Sequence, residues 1–163
     1  MKVLGIDPGT AACGYGIVQD DGGRLRAIDF GSWTTPASAP LAARLMAIFN
    51  RLEALIEAHD PTSVALEESF VGADARIALS VGQVRGAVLV ASGRAGVECA
   101  EYAPAAVKKA VCGYGRAEKT QVQRMVRAIL GLDALPAPHH AADALAVAIC
   151  HALAPPLTKV ASA

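Results

Sequence analysis

The sequence predicts an α/β fold, and three observations carry that prediction. Three β-patterned segments open the chain, joined by short links. Two more short strands follow, alternating with segments of helical period. The chain has 163 residues, 53% apolar and only 4% aromatic, which suits one domain with a real core and excludes a disordered chain. That domain is expected to cover residues 1–153, with 154–163 as a flexible tail.

KVLGI (2–6) is the first strand, and it runs straight into an acid. Pro8 disfavours the helical region for the residue before it, so Asp7 stays extended at the strand's carboxyl end. Pro8-Gly9 then turns the chain. CGYGIVQ (13–19) is the second strand, in which Gly14 and Gly16 permit close backbone approach. The cluster Asp20-Asp21-Gly22-Gly23 turns into a third strand, LRAIDFGSW (25–33), and the short links make an antiparallel meander. After the loop TTPASAP (34–40), Leu41, Leu45, Ile48, Phe49, Leu52, Leu55 and Ile56 mark a helix over 41–58. SVALEE (63–68) is a strand, 74–92 a helix and GVECA (96–100) a fifth strand. Pro104 opens a helix over 104–111, and GYGR (113–116) is a Gly-rich loop. Val122, Met125, Val126, Ile129 and Leu130 set the next helix, LPAP (135–138) breaks it, and 140–152 forms the last.

Composition narrows the function classes. No apolar stretch is long enough to span a bilayer, and Asp7 arrives too early for a secretory signal, so no membrane association and a cytoplasmic location are expected. Cys13, Cys99, Cys112 and Cys150 show no metal or redox spacing and read as free thiols. The net charge is zero, but its distribution is uneven. Residues 1–68 hold nine acids and five bases, whereas residues 69–130 hold four acids and nine bases. A neutral total can hide a basic face.

Two strands end in carboxylates, at Asp7 and at Glu67. A crossover through the 41–58 helix would make those strands parallel, and adjacent strands lie about 4.8 Å apart. Carboxylates that close repel unless a cation sits between them. Glu67 and Glu68 point to opposite sides, so only one of them joins Asp7. On the last helix Asp143 lies among alanines and needs a partner. His140 and His139 stand three and four residues before it, and spacing alone does not choose between them. Three carboxylates and one imidazole suit Mg²⁺ or Mn²⁺. Two such ions about 3.5–4 Å apart are the usual device for in-line attack on a phosphodiester.

The stretches GIDPGTAACGYGIV, LEESF, EYAPAAVKKAVCGYGRAEKTQVQRMV and HAADALAVAICH strongly resemble the RuvC family of Holliday-junction resolvases, over roughly 2–152. The resemblance implies an RNase H-like fold, a five-stranded mixed sheet flanked by helices. It implies a divalent-metal-dependent endonuclease that resolves four-way DNA junctions in recombination and repair by paired symmetric nicks. It also implies a homodimer with two Mg²⁺ or Mn²⁺ ions per subunit, working with the RuvA-RuvB branch-migration complex. The family's acids fall on Asp7, Glu67 and Asp143; Glu68 stands where an uncharged residue is common. His140 falls on the remaining metal position, often Asp in the family, and the resemblance thereby selects it over His139.

DNA contacts are expected on the basic segment 104–130, which holds six bases and a single acid, Glu118. One face of its second helix shows Lys119, Thr120, Gln123, Arg124 and Arg127, side chains that neutralise or hydrogen-bond phosphates. By resemblance, Lys108 and Lys119 fall near the scissile phosphate, where an ammonium stabilises the charge that grows in the transition state. Phe70 falls on a family position that stacks on an unpaired base, and Tyr114 is a second loop aromatic. Three other readings compete with this one. GIDPGT also resembles the phosphate loop of actin-like ATPases and sugar kinases, but those proteins need two lobes and a cleft. A binding-only junction protein would have no use for the acids. A general RNase H would cut RNA in hybrids.

Overall fold

β1 (Lys2–Asp7) occupies the centre of a five-stranded sheet in the computed structural model, which describes residues 1–68 and 75–155. On one side it pairs antiparallel with β2 (Ala12–Asp20), and β2 with β3 (Leu25–Thr34), giving the expected meander. On the other side β1 runs parallel to β4 (Ser63–Glu67), and β4 to β5 (Glu98–Tyr102). The order is therefore β3-β2-β1-β4-β5. The crossover from β3 to β4 passes through α1 (Leu41–His59), and that from β4 to β5 through α2 (Ala75–Ala95). α3 (Pro104–Cys112), α4 (Lys119–Leu130) and α5 (His139–Leu153) follow.

The side-chain period of two divides the core. Leu4, Ile6, Ile17, Val64 and Leu66 face α1 and α2, meeting Ile48, Leu52, Val84 and Val88. Val3, Val18, Ala65 and Ala100 face the other way, onto α3, α4 and α5. The same period sends Gly5, Gly14 and Gly16 toward α5. A Cβ at Gly5 would strike the Ala144 carbonyl, one at Gly14 the His140 carbonyl, and one at Gly16 the Leu145 side chain. These glycines let the alanine-rich α5 lie directly on the sheet. Its residues Ala141, Ala142, Ala144, Ala146 and Ala148 are fully buried or nearly so.

One expected boundary shifts. β5 runs over 98–102 rather than 96–100 because α2 continues to Ala95. Gly96 then takes φ 67° and donates its N–H to Gly93 O, while Val97 N–H bonds Ser92 O. That is a glycine helix stop, and the strand starts only after it. No helix among the described residues is long and apolar enough to cross a membrane.

Candidate active site

Asp7 ends β1 and Glu67 ends β4, and the register pairing Ile6 with Leu66 sets the two acids side by side. Both follow the strand alternation toward α5: Asp7 after Val3 and Gly5, Glu67 after Ala65. Glu68, one residue on, is exposed, and its N–H bonds Tyr102 O. Glu67 rather than Glu68 therefore faces the same side of the sheet as Asp7.

α5 delivers the remaining donors. His140 Nδ1 lies 2.8 Å from Asp7 Oδ2, and Lys119 Nζ donates to Asp143 Oδ2 at 2.8 Å. His139 is exposed and only stacks against its neighbour's ring. Asp143 thus has the partner its alanine surroundings demanded, and His140 is the histidine at the acids. Ligand atoms of Asp7, His140 and Asp143 all lie within 4.8 Å of one another. Glu67 borders this cluster without belonging to the tightest set.

The charges confirm the crowding. Burial pushes the Glu67 carboxyl up to about 7, aided by Asp7 and Asp143 and opposed by Lys119 and Lys108. Burial also raises Asp7, against the hydrogen bond from His140, with Asp143 adding to the rise. Carboxylates held this way gain most from a cation between them. The donor set, carboxylate oxygens with one imidazole, fits a hard divalent ion.

A cavity of about 320 Å³ opens between the acids and α3–α4, walled by Glu67, Asp143, Lys108 and Lys119. Lys108 and Lys119 therefore sit where a phosphate over the acids would be met. Farther along α4, Arg124 and Arg127 are exposed and line a second hollow, at the helix C-terminus. Arg127 also donates to Leu132 O, and Gln123 is half-buried. Tyr114 is exposed and donates its hydroxyl to Gln121. Phe70 lies outside the described residues.

Sequence reasoning missed a contact beside the acids. Thr10 Oγ1 and Ser80 Oγ, 70 residues apart, are hydrogen-bonded at 2.6 Å and tie the turn after β1 to the start of α2. No local pattern marks either hydroxyl, since the pair exists only once the sheet forms.

A mixed sheet in this strand order, with acids on adjacent parallel strand ends beneath a helix that adds two more donors, defines an RNase H-like nuclease. Residues 3–151 match the family model described as crossover junction endodeoxyribonuclease RuvC, and the chain belongs to that family. The crossover junction endodeoxyribonuclease RuvC of Chloroflexus aggregans is 53% identical over 156 residues, covering 96% of this chain and 95% of the relative. The Thermus thermophilus RuvC structure superposes with a TM-score of 0.87 at 41% identity, covering 93% of each chain. T. thermophilus RuvC in complex with Holliday junction substrate superposes at 0.86 and 38% identity, again over 93% of each.

Proposed function

We propose that this chain is a divalent-metal-dependent endonuclease that resolves four-way (Holliday) DNA junctions by paired symmetric nicks, in homologous recombination and DNA repair. One observation carries the reading: Asp7, His140 and Asp143 converge within 4.8 Å, with Glu67 beside them and two lysines facing them. We assign Mg²⁺ or Mn²⁺, two ions per subunit, held by Asp7, Glu67, His140 and Asp143. Bound there, such ions would supply Lewis-acid activation of water and charge neutralisation at the leaving oxygen. Asp7 anchors the site from the rigid end of β1 and orients the His140 ring. Lys108 and Lys119 hold the scissile phosphate and stabilise its added charge. Gln123, Arg124 and Arg127 carry the backbone onward along α4. Phe70 stacks on a base at the crossover.

A four-way junction has approximate two-fold symmetry, so a homodimer with one site per subunit matches it. The outer face of α2 supports that arrangement. Leu79, Gly82, Gly86, Leu89, Val90 and Gly93 fall on one stripe of the helix. Leu79 and Val90 are 66% and 57% exposed, and nothing lies within 4 Å of where a Cβ at any of the three glycines would be. We place the protein in the cytoplasm, as a 1–153 domain with a short tail, acting with RuvA and RuvB.

Cleavage of a labelled synthetic four-way junction, beside linear duplex and RNA–DNA hybrid, tests the reading with EDTA, Mg²⁺ or Mn²⁺. Paired nicks confined to the junction and to the metal-containing reactions are expected. Asp7→Asn is expected to bind the junction and leave it uncut. Tight binding by the wild type with no cutting in either metal would favour a binding-only protein.

A further inference from the structure

The turn that follows Asp7 is braced from outside itself. A Cβ at Gly9 would lie 2.3 Å from the Ala12 carbonyl oxygen, so the turn closes too tightly for a side chain there. The β1–β4 ladder ends at Ile6–Leu66, which leaves Asp7 in register with β2 alone, through Gly14. The brace is Thr35, one residue past the end of β3 and only 9% exposed. Its N–H donates to Ala11 O at 3.2 Å, and its hydroxyl donates to Thr10 O. Arg44, in the first turn of α1, donates its Nε–H to that same hydroxyl oxygen at 2.8 Å. On its other side the turn is tied to α2 through Thr10 Oγ1 and Ser80 Oγ.

We infer that Thr35 and Arg44 are positioning residues for Asp7: they lock the turn after β1 and so fix the carboxylate as a metal ligand. The inference rests on the metal-dependent nuclease reading above. A hydroxyl has one proton to give and two lone pairs. Arg44 occupies a lone pair of the Thr35 oxygen, so the proton is turned to the Thr10 carbonyl. Donation from a charged guanidinium also polarises the hydroxyl and strengthens the bond it gives. Bonds therefore run from Arg44 to Thr35 to Thr10, and both oxygens of Thr10 are engaged. A buried hydroxyl is costly unless it is bonded, and valine, of nearly the same shape, would pack there without that cost. What threonine adds is the link from α1 to the turn. Neither Thr35 nor Arg44 lines a cavity that holds the acids, so both act through the turn rather than on an ion or a phosphate. A metal site needs its ligands held to within about 0.5 Å, and this link steadies Asp7 from the side that β1 does not.

The test is Mn²⁺ titration of the free protein by electron paramagnetic resonance, beside cutting rates and junction affinity in EDTA. Thr35→Val removes the hydroxyl and is expected to weaken Mn²⁺ binding and lower kcat by about tenfold each, the usual effect of losing a group that orients a ligand. Junction affinity in EDTA should stay within about twofold of wild type, because the phosphate contacts lie elsewhere. Thr35→Ser returns the hydroxyl and should recover both quantities. Arg44→Met should weaken Mn²⁺ binding on its own and add nothing in the Thr35→Val background, as members of one network do. Ile56→Ala, at the far end of α1, cuts into the core and should lower the melting temperature with Mn²⁺ affinity unchanged. Wild-type Mn²⁺ affinity in Thr35→Val and in Arg44→Met would overturn the inference and leave the nuclease intact. A loss of affinity in Ile56→Ala as large as theirs would also overturn it, since the effect would then be general destabilisation. A wild type that binds no Mn²⁺ would overturn both readings. A wild type that binds Mn²⁺, with weaker binding in Thr35→Val, but cuts no junction would remove the nuclease reading and keep the positioning role.

Discussion

The carboxyl of Glu67 titrates near 7 because burial and the charges of Asp7 and Asp143 all oppose its ionisation. Its pKa in the unfolded chain is 4.5, so between the two values the folded protein holds a proton that the unfolded chain has released. Stability from this group is complete below 4.5 and is lost as pH rises through about 7. The loss amounts to roughly 3 kcal/mol, and the raised Asp7 adds in the same direction. Metal-free protein should therefore melt at a lower temperature at pH 8 than at pH 5. Glu67→Gln should flatten that slope, and Mn²⁺ should restore the wild type at pH 8. Melting curves in EDTA across this range check it, and a slope unchanged by the substitution would show that Glu67 is not the titrating group. His140 gives the second residue-scale prediction. Its ring is the one nitrogen donor in the cluster, and nitrogen favours Mn²⁺ over Mg²⁺. His140→Asp should still cut, with the Mg²⁺ rate rising relative to the Mn²⁺ rate. Equal ratios in both proteins would show that the ring does not tune the ion.

The elements position these residues, and Gly14 shows how. It pairs with Asp7 in the β1–β2 register and supports the carbonyl of His140 from below. Any side chain there lifts the first turn of α5 and pulls His140 away from Asp7. Gly14→Ala should cost about 1–3 kcal/mol of stability, as overpacking does, and raise the Mn²⁺ needed for half-saturation by about tenfold. Gly16→Ala meets the buried Leu145 side chain first and its backbone nitrogen only at 3.0 Å, so it should lose stability while disturbing metal affinity less. Manganese titration by electron paramagnetic resonance separates the two, and equal affinity in both variants would mean that Gly14 is merely structural. Much of this scale was legible in the sequence. Pro8 and the strand period held Asp7 at a strand end, and the glycines of β2 announced a close backbone approach. The partner of that approach was not legible, because α5 comes more than a hundred residues later. The start of β5 was missed for a local reason. Val97 reads as strand by propensity, but Gly96 was needed to stop α2. Thr10 and Ser80 left no trace, since a hydroxyl pair has no periodicity.

At the scale of the whole molecule, the outer face of α2 bears on how two cuts are made. Glycine in an exposed helix interior costs about 1 kcal/mol relative to alanine, and α2 carries Gly82 and Gly86 with open space above each. A lone helix gains nothing from them. A second helix crossing at Gly86 gains close backbone contact, and Leu79, Leu89 and Val90 pack around the crossing. Antiparallel contact of this stripe with its own copy is self-complementary, which a two-fold dimer requires. None of the stripe residues lines a cavity that holds the acids, so the contact leaves the acid cluster of each subunit open to DNA. Gly86→Arg tests this without threatening the fold. Arginine is the better helix former, so the subunit should be as stable as wild type or more so, while a charge would be buried at the crossing. Sedimentation should show a dimer for wild type and a monomer for the variant. On a cruciform plasmid, where both nicks within one binding event give a linear product, wild type should yield linear DNA and the variant nicked circles. A variant that still sediments as a dimer would move the interface off α2. A monomer that still linearises the plasmid as wild type does would mean that the paired cuts need no symmetric partner.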